Sequence, residues 1–415
     1  MSPVAARVRN LDAVNLAVYF HIFATILGLG VVAPSLPDIR DEFGVSYAQV
    51  SLVFSVFALA RLFVDLPAGY LTTRIPGVAL LCGSAALVGV GTFACGLAPN
   101  FLALLGMRAV VGAGSAIAST VGMTVLAQRA DPRKMGQAMG MYHTALILGT
   151  LISPGLGGFI ADAAGWRVAF YVCAFAALTS VGVTLTVLRR VPESRSVPKP
   201  SAVADGRRLT YRGAAALIWP ALIATFGIFF IRNAVGSTVF PLYGRDEVGL
   251  AAGQLGAILT LNAIISATLT TPAGMAADRW GSRTLLYPGF AFAAAGGLLL
   301  ATVHSLAGFA LASAVFSFAS LNNAVPSSMV AGSADAGSRG MLLGIYRFVG
   351  DLGFTVGPIT MGFVLNAAGF AAGAWLAAGV AASVVGVLAV QVWASGRRHS
   401  TRAPSALREE QPAGP

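Results

Sequence analysis

The chain has 415 residues, of which 56% are hydrophobic and only 10% are charged, and its formal net charge is +11. Soluble domains carry about 25% charged residues, so this composition excludes an ordinary soluble protein. It predicts an integral membrane protein made of apolar helices of about 20 residues, because a helix satisfies its own backbone hydrogen bonds inside a bilayer.

Twelve apolar segments of about that length follow one another along the chain. They predict an all-α integral membrane fold with twelve transmembrane helices, which we number as spans 1 to 12. In chain order, the predicted spans are 13–36, 47–71, 76–97, 101–127, 137–161, 166–188, 215–240, 251–275, 284–304, 307–330, 341–365 and 370–394.

The positive charges are distributed unevenly over the connections between these spans. Twenty Arg and Lys residues fall on the side that carries both termini, against three on the other side, Arg40, Arg167 and Arg245. Cytoplasmic loops of membrane proteins are enriched in Lys and Arg. We therefore expect both termini in the cytoplasm and the protein in a bacterial inner membrane, and the asymmetry argues against a nucleic-acid partner.

The two halves of the chain resemble each other at a nearly constant offset. Residues around span 5 recur 204 positions later, among them Pro154 as Pro358 and Gly158 as Gly362, and Pro67 to Gly69 recur 205 positions later. Such repeats are typical of transporters. The predicted domains are an N-terminal six-helix bundle at 1–188, a cytoplasmic linker at 189–214, a C-terminal six-helix bundle at 215–394 and a disordered cytoplasmic tail at 395–415.

A first motif lies in the predicted short loop between spans 8 and 9. Its glycines permit a tight turn, and its carboxylate can cap a helix start or pair with cations. The motif consists of Gly274, Asp278, Arg279, Gly281 and Arg283. The matching loop of the first half departs from this pattern, because Thr73 and Pro76 stand at the positions of the aspartate and the second glycine.

Two more motifs lie inside spans 4 and 5. Span 4 carries an intramembrane Arg108, followed by Gly112 and Gly114. In span 5, small residues four apart form one helix face that allows a neighbouring backbone to approach closely, and a proline adds a bend. The span 5 motif consists of Gly149, Ser153, Pro154, Gly157 and Gly158.

Together the three motifs resemble those of the Major Facilitator Superfamily over essentially the whole chain. The span 5 motif is similar to the signature of the drug:proton antiporter branch, although Ser153 stands where that branch has glycine. The resemblance implies two pseudo-symmetric six-helix bundles and a proton-coupled antiporter that exports a small, partly apolar organic compound, such as a drug or antibiotic, by alternating access. Two alternatives stay open, namely uptake of a small metabolite and a non-transporting membrane sensor.

The sequence contains no nucleotide-binding loop, no cluster with metal-ligand spacing and no activated nucleophile. We therefore expect no enzyme activity, no metal and no cofactor, with the proton gradient as the energy source. The expected partners are a small-molecule substrate, protons and the lipid bilayer, and the expected state is a monomer.

Ionisable residues inside the membrane predict a gate. Arg61 and Asp65 on span 2 are four residues apart, as are Arg347 and Asp351 on span 11, so each pair could close within its own helix. Alternatively, Arg61 and Asp351 both lie about 15 Å from the cytoplasmic ends, and Asp65 and Arg347 about 9 Å. Because spans 2 and 11 face each other in the resembled family, we expect Arg61 to pair with Asp351 and Asp65 with Arg347, and protonation to weaken the closure. His21, at a similar level, is a candidate proton relay.

Other polar and aromatic residues predict a substrate cavity between the bundles. A cation that faces water can bind an anionic group, and aromatic and amide side chains suit a mostly apolar ligand. The candidates for this cavity are Arg108, Phe229, Arg232, Asn233, Asn322 and Asn323.

Overall fold

The computed structural model describes residues 3–129, 135–188, 211–280, 282–323, 325–332 and 339–400, and all regular elements among them are helices. In the first half, two consecutive helices form span 1, and each of spans 2 to 6 is one helix. The helices are α1 (Pro3–Gly30) and α2 (Val32–Phe43), then α3 (Tyr47–Leu71), α4 (Gly77–Gly96), α5 (Phe101–Arg129), α6 (Met135–Ala164) and α7 (Trp166–Leu188).

The second half contains two spans with irregular middles. Span 7 consists of α8 (Tyr211–Ile231), a π-helix (Arg232–Val239) and α9 (Phe240–Asp246). Spans 8 and 9 are α10 (Ala252–Trp280) and α11 (Ser282–Leu300), and span 10 consists of α12 (Leu306–Ser317), a 3₁₀-helix (Phe318–Asn322) and α13 (Val325–Gly332). Spans 11 and 12 lie in α14 (Arg339–Ser400), where Gly369 adopts a positive φ of 76° that favours glycine and separates the two spans.

These helices confirm the predicted fold class. Nine helical stretches of the described chain are long and apolar enough to cross a membrane. One of them, Gly344–Val390, contains the turn at Gly369 and therefore supplies both span 11 and span 12. Two shorter apolar helices, Leu285–Leu300 and Leu306–Asn322, supply spans 9 and 10, which completes twelve spans.

Several predicted boundaries are wrong. Span 1 was expected to end at residue 36, but α2 continues to Phe43, so Arg40 lies on a helix. Residues 211–214, expected in the linker, begin α8, and residues 395–400, expected in the disordered tail, belong to α14. The rest of the predicted linker and tail, 189–210 and 401–415, lies outside the described residues.

The predicted loop between spans 8 and 9 is mostly helical. The helix α10 continues to Trp280, so Gly274, Asp278 and Arg279 lie in its last two turns instead of in a loop. Gly281 lies outside the described residues, as do the side chains of Asp278 and Arg283, and their predicted roles in the loop signature stay predictions.

The two bundles meet along two related interfaces, span 5 with span 8 and span 2 with span 11. A side chain on Gly158 of span 5 would collide with the carbonyl oxygen of Ala252 on span 8. At the repeat-related position, a Cβ on Gly362 of span 11 would lie 2.8 Å from the carbonyl oxygen of Tyr47 on span 2. Glycine therefore allows the helices of opposite bundles to touch through their backbones, and the internal repeat of the sequence reappears as a pseudo-symmetric pair of contacts.

Candidate functional site

Two ion pairs join the bundles between spans 2 and 11. Arg61 Nε lies 3.8 Å from Asp351 Oδ1, and Arg347 Nη2 lies 3.7 Å from Asp65 Oδ1. The ion pairs thus cross from one bundle to the other, as the comparison of depths predicts, instead of closing within one helix. We call these four residues the charge cluster. Since each bundle contributes one cation and one carboxylate, separating spans 2 and 11 breaks both pairs.

Hydroxyl groups of span 4 complete the surroundings of the charge cluster. Arg61 Nη1 donates a hydrogen bond to Ser115 Oγ at 2.9 Å, and Arg347 Nη2 donates one to Ser119 Oγ at 3.3 Å. Thr120 Oγ1 donates to Asp65 Oδ1 at 3.4 Å. These three residues were not predicted from the sequence. Ser115 and Ser119 are four residues apart and therefore share one face of span 4, and this spacing was the available signal in the sequence.

His21, the predicted proton relay, is not part of either ion pair. Its side chain is fully buried, and its Nε2 lies 3.3 Å from Ser84 Oγ on span 3. The structure therefore places His21 in contact with a neighbouring helix of its own bundle. Sequence depth alone could not determine the direction in which this side chain points.

Polar contacts also join the bundles on the other side of the membrane. This side lies opposite to Leu188, where span 6 ends, and Tyr211, where span 7 begins. Arg40 Nη2 donates to Asp246 Oδ1 at 2.8 Å, which links span 1 to span 7. Asp162 Oδ2 on span 5 accepts from the backbone N–H of Gly253, 2.7 Å away at the start of span 8. The first N–H groups of a helix have no partner within that helix, so this carboxylate caps the helix of the other bundle.

A central cavity of about 350 Å³ lies between the two bundles. Its wall includes residues of spans 1, 2 and 5 from the N-terminal bundle and of spans 7, 8, 10 and 11 from the C-terminal bundle. Most of the wall is apolar and includes the rings of Phe54, Phe316 and Phe354. Arg232 is the one charged residue among the described residues that line it.

The π-helix of span 7 supplies a polar part of this wall. Arg232, Asn233, Gly236 and Ser237 all line the cavity. A π-helix places extra residues in a turn and is frequent at functional sites. The Arg232 guanidinium lies over the Phe229 ring, 5.1 Å from its centre, and Asn233 Nδ2 donates to the Phe229 carbonyl oxygen at 2.8 Å.

Phe229, which was predicted in the substrate cavity, lines neither cavity, because its ring packs between spans 7 and 11. A Cβ on Gly350 would lie 3.3 Å from this ring, and one on Gly353 would lie 3.2 Å from Phe229 Cβ. The Phe229 ring therefore contacts Arg232 on one side and the backbone of span 11 on the other.

A smaller pocket of about 100 Å³ lies beside the central cavity, within the C-terminal bundle. Arg232, Asn322 and Asn323 line it, and Arg232 and Asn323 line the central cavity as well. With its amide oriented to match the neighbouring groups, Asn322 donates to the carbonyl oxygens of Leu285 and Leu286 of span 9. Asn322 therefore lines the pocket, and its amide group is hydrogen-bonded to the backbone of span 9.

Arg108 does not line either cavity. Its side chain is fully buried between spans 2 and 4, where Nε donates to the carbonyl oxygen of Val53 at 3.3 Å. The guanidinium lies over the Phe57 ring, 4.7 Å from its centre. The prediction that Arg108 lines the cavity is therefore wrong, because the residue lies on the face of span 4 that packs against span 2.

The span 5 motif contacts span 1 with one face. A Cβ on Gly149 would lie 3.1 Å from the carbonyl oxygen of Phe23, and Ser153 Oγ donates to the carbonyl oxygen of Leu27. Gly157 also packs directly against span 1. The predicted close approach of a neighbouring backbone is therefore present.

The other face of the span 5 motif points to the opposite bundle. Pro154 lines the central cavity, and Gly158 touches span 8. The motif thus lies where span 1, span 8 and the cavity wall meet.

Span 8 has a polar face that was not predicted from the sequence. Asn262, Ser266 and Thr270 all line the central cavity. They are four residues apart and so lie on one helix face, which was a readable signal in an otherwise apolar span. Through the repeat offset of 205, Ser266 and Thr270 correspond to Arg61 and Asp65 of span 2. The two interfaces between the bundles are thus related in position but different in charge.

Two six-helix bundles with a largely apolar cavity between them define a membrane transporter. The model of the Major Facilitator Superfamily matches residues 18–252 and 221–414. The chain therefore belongs to the Major Facilitator Superfamily, and it is a multi-pass membrane transporter rather than an enzyme.

Curated relatives are similar at low identity. An uncharacterized MFS-type transporter of Methanocaldococcus jannaschii is 24% identical over 85% of this chain and 92% of its own length. The quinolone resistance protein NorA of Staphylococcus aureus is 24% identical over 60% of this chain and 63% of its own length. A multidrug resistance protein B homolog of Mycobacterium tuberculosis is 31% identical over 39% of this chain and 29% of its own length.

Solved structures share the fold. A bacterial homolog of the human lysosomal transporter Spinster, in an inward-facing and unoccupied conformation, has a TM-score of 0.72 at 17% identity and covers 94% of this chain and 96% of its own. A POT family transporter in complex with 5-aminolevulinic acid has a TM-score of 0.77 at 12% identity, covering 92% of this chain and 96% of its own.

Proposed function

We propose that the protein is a proton-coupled antiporter that exports a small, partly apolar organic compound by alternating access. The observation that carries this proposal is the charge cluster, in which two ion pairs join the bundles at spans 2 and 11. A proton that binds Asp65 or Asp351 removes one of the two attractions, and the conformation in which the bundles are separated then gains relative stability. Proton binding and bundle separation are thereby coupled.

The distribution of charges and the relatives support the proposed direction of transport. The twenty-to-three distribution of Arg and Lys supports a cytoplasmic location for both termini, with the charge cluster in the cytoplasmic half of spans 2 and 11. The relatives named for quinolone and multidrug resistance, together with the span 5 motif, support export. One chain contains both bundles, so we propose that a monomer transports, with the proton gradient as its energy source.

The test uses inside-out membrane vesicles with an acid interior and a pH-sensitive dye. Lipophilic cations, neutral antibiotics and organic acids are added one by one, and we expect at least one of them to cause alkalinisation of the interior. Asp351→Asn and Asp65→Asn remove the titrating groups and should abolish this response. Glu247→Gln is the matched control, because Glu247 is a carboxylate outside the charge cluster.

Two results contradict the proposal. One is a response that both Asp→Asn variants retain in full, which shows that the protons move without the charge cluster. The other is the absence of any response from correctly folded wild-type protein, which favours uptake or uniport.

A further inference from the structure

Arg232 differs from the other arginines inside the described bundles in how its charge is accommodated. Arg61 and Arg347 each face a carboxylate, and Arg108 donates from Nε to a backbone carbonyl, while its two Nη atoms are buried without a hydrogen-bond partner among the described residues. Arg108 and Arg232 both lie over an aromatic ring, but Arg108 is fully buried, whereas the Arg232 side chain is exposed where it borders both cavities. A cation inside the membrane is costly, so an exposed one without a carboxylate partner marks a site for a charged ligand.

The cavity provides no compensating negative charge. None of the described residues that line the central cavity or the side pocket is acidic. The two nearby carboxylates of spans 2 and 11 are both engaged with Arg61 and Arg347. Because the wall is largely apolar, the effective dielectric constant is low and the field of Arg232 is weakly screened. The cavity therefore favours an anionic group over a neutral or cationic one.

The side pocket adds hydrogen-bonding groups next to this cation. Asn262, Ser266 and Asn323 line it together with Arg232. Ser320 Oγ, on the 3₁₀-helix of span 10, is 94% buried and has no hydrogen-bond partner among the described residues. A pocket of about 100 Å³ has room for a carboxylate group but not for a bulky apolar body. A guanidinium with neighbouring hydroxyl and amide groups matches the two oxygens of a carboxylate.

We propose that Arg232 and the side pocket bind a carboxylate group of the transported compound, while its apolar part lies in the central cavity among Phe54, Phe316 and Phe354. The inference rests on the proposed function, since it names the chemical class of that function's substrate. The substrates are then amphipathic organic acids, or zwitterions that present a carboxylate, and not simple lipophilic cations.

The test compares three fluorescent probes with the same apolar body. Dansylglycine carries a carboxylate, dansylglycinamide is neutral and dansylethylenediamine is cationic. Their binding to the purified protein in lipid nanodiscs is measured by the rise in dansyl fluorescence, without a proton gradient. We expect dansylglycine to bind at least about tenfold more tightly than the other two. Arg232→Gln should remove this preference, and Arg232→Lys should keep a large part of it.

The controls separate a local effect from misfolding. Arg74→Gln removes an exposed arginine at the end of span 2 and should leave all three affinities unchanged. If Arg232→Gln lowers the melting temperature, Ser320→Ala and Asn323→Ala provide milder variants that should each weaken dansylglycine binding about two- to fivefold.

Three outcomes overturn the inference. They are a preference for dansylglycine that persists in Arg232→Gln, tighter binding of the cationic probe, and no saturable binding of dansylglycine to the wild type. Probe binding is read on the wild type and the Arg232 variants without a proton gradient, whereas proton coupling is read from alkalinisation of the vesicle interior. A failure of proton coupling and a failure of this inference therefore give different results.

Discussion

The charge cluster shows how four side chains can hold two bundles together. Each arginine has one carboxylate of the other bundle and one serine hydroxyl of span 4 within reach. Asp65 Oδ2 is buried and has no hydrogen-bond partner among the described residues, so this carboxylate is incompletely satisfied. A network of this kind is sensitive to the loss of one charge, because the remaining partner is left buried and unpaired.

A charge exchange tests the pairing of Arg61 with Asp351. Arg61→Asp places a third carboxylate beside a single remaining cation, and we expect it to shift the equilibrium about tenfold away from the state in which spans 2 and 11 touch. The double variant Arg61→Asp with Asp351→Arg restores opposite charges and should recover most of that shift.

The shift is measured through a cysteine in the cavity. Ser266→Cys is introduced after the three native cysteines are replaced with serine, and its alkylation by a membrane-impermeant maleimide is followed in inside-out vesicles. Faster alkylation in the single variant and near wild-type alkylation in the double variant are expected. If the exchange gives no recovery, the two side chains do not interact as a pair.

At the scale of helices, the contact of span 5 with span 8 depends on the absence of side chains. Gly158 touches the Ala252 carbonyl, and a Cβ on Gly256 of span 8 would lie 3.1 Å from the Gly158 Cα. Near the other end of the same helix, a Cβ on Gly140 would meet no atom within 4 Å. Two glycines of one helix therefore have different structural roles.

Alanine substitutions at Gly158 and Gly140 distinguish the effect of packing on stability from the effect of helix propensity. We expect Gly158→Ala to cost about 1 to 3 kcal/mol, because span 8 must move away from span 5, and to lower the melting temperature of the purified protein. Gly140→Ala should leave it unchanged or raise it slightly, since alanine favours helix over glycine. Equal melting temperatures for the two variants would argue against a tight span 5–span 8 contact in the membrane.

Much of this arrangement could be predicted from the sequence, and the incorrect predictions have one cause in common. Hydropathy and spacing located the spans, and the depth of each charge along its helix was sufficient to match Arg61 with Asp351 and Asp65 with Arg347. Depth says nothing about rotation around the helix axis. For that reason the burial of Arg108 and the contact of His21 with span 3 were not predicted.

The irregular helical segments also could not be predicted from the periodicity of the sequence. The π-helix of span 7 and the 3₁₀-helix of span 10 both interrupt the regular helix where the side pocket forms. Their hydrogen-bond patterns depend on neighbouring helices, as the contact of Asn322 with span 9 illustrates. The residues of the pocket could be nominated from the sequence, but not the shape that brings them together.

At the scale of the whole molecule, the bundles are tied together on both sides of the membrane. The charge cluster lies towards one side, and the contacts of Arg40 with Asp246 and of Asp162 with span 8 lie on the other. The central cavity lies between these two sets of contacts. Alternating access then requires that one set breaks while the other holds.

The difference in charge between the two interfaces has a mechanical consequence. The contact of span 2 with span 11 contains two ion pairs, whereas span 8 carries Ser266 and Thr270 where span 2 carries Arg61 and Asp65. On span 8, the contact with span 5 therefore has no ionisable counterpart of Arg61 and Asp65. We therefore expect spans 2 and 11 to separate when the molecule opens, while spans 5 and 8 stay in contact and act as the hinge.

Spin labels on the helix ends measure this pivot by electron–electron distance spectroscopy. On acidification, labels at Thr72 and Gly344, on spans 2 and 11, should move apart more than labels at Met139 and Met275, on spans 5 and 8. Equal displacements would indicate a symmetric rocking motion instead. With a one-sided pivot, the mouth of the cavity faces the lipid beside spans 2 and 11, so a compound dissolved in the leaflet on that side can enter laterally without first passing through water.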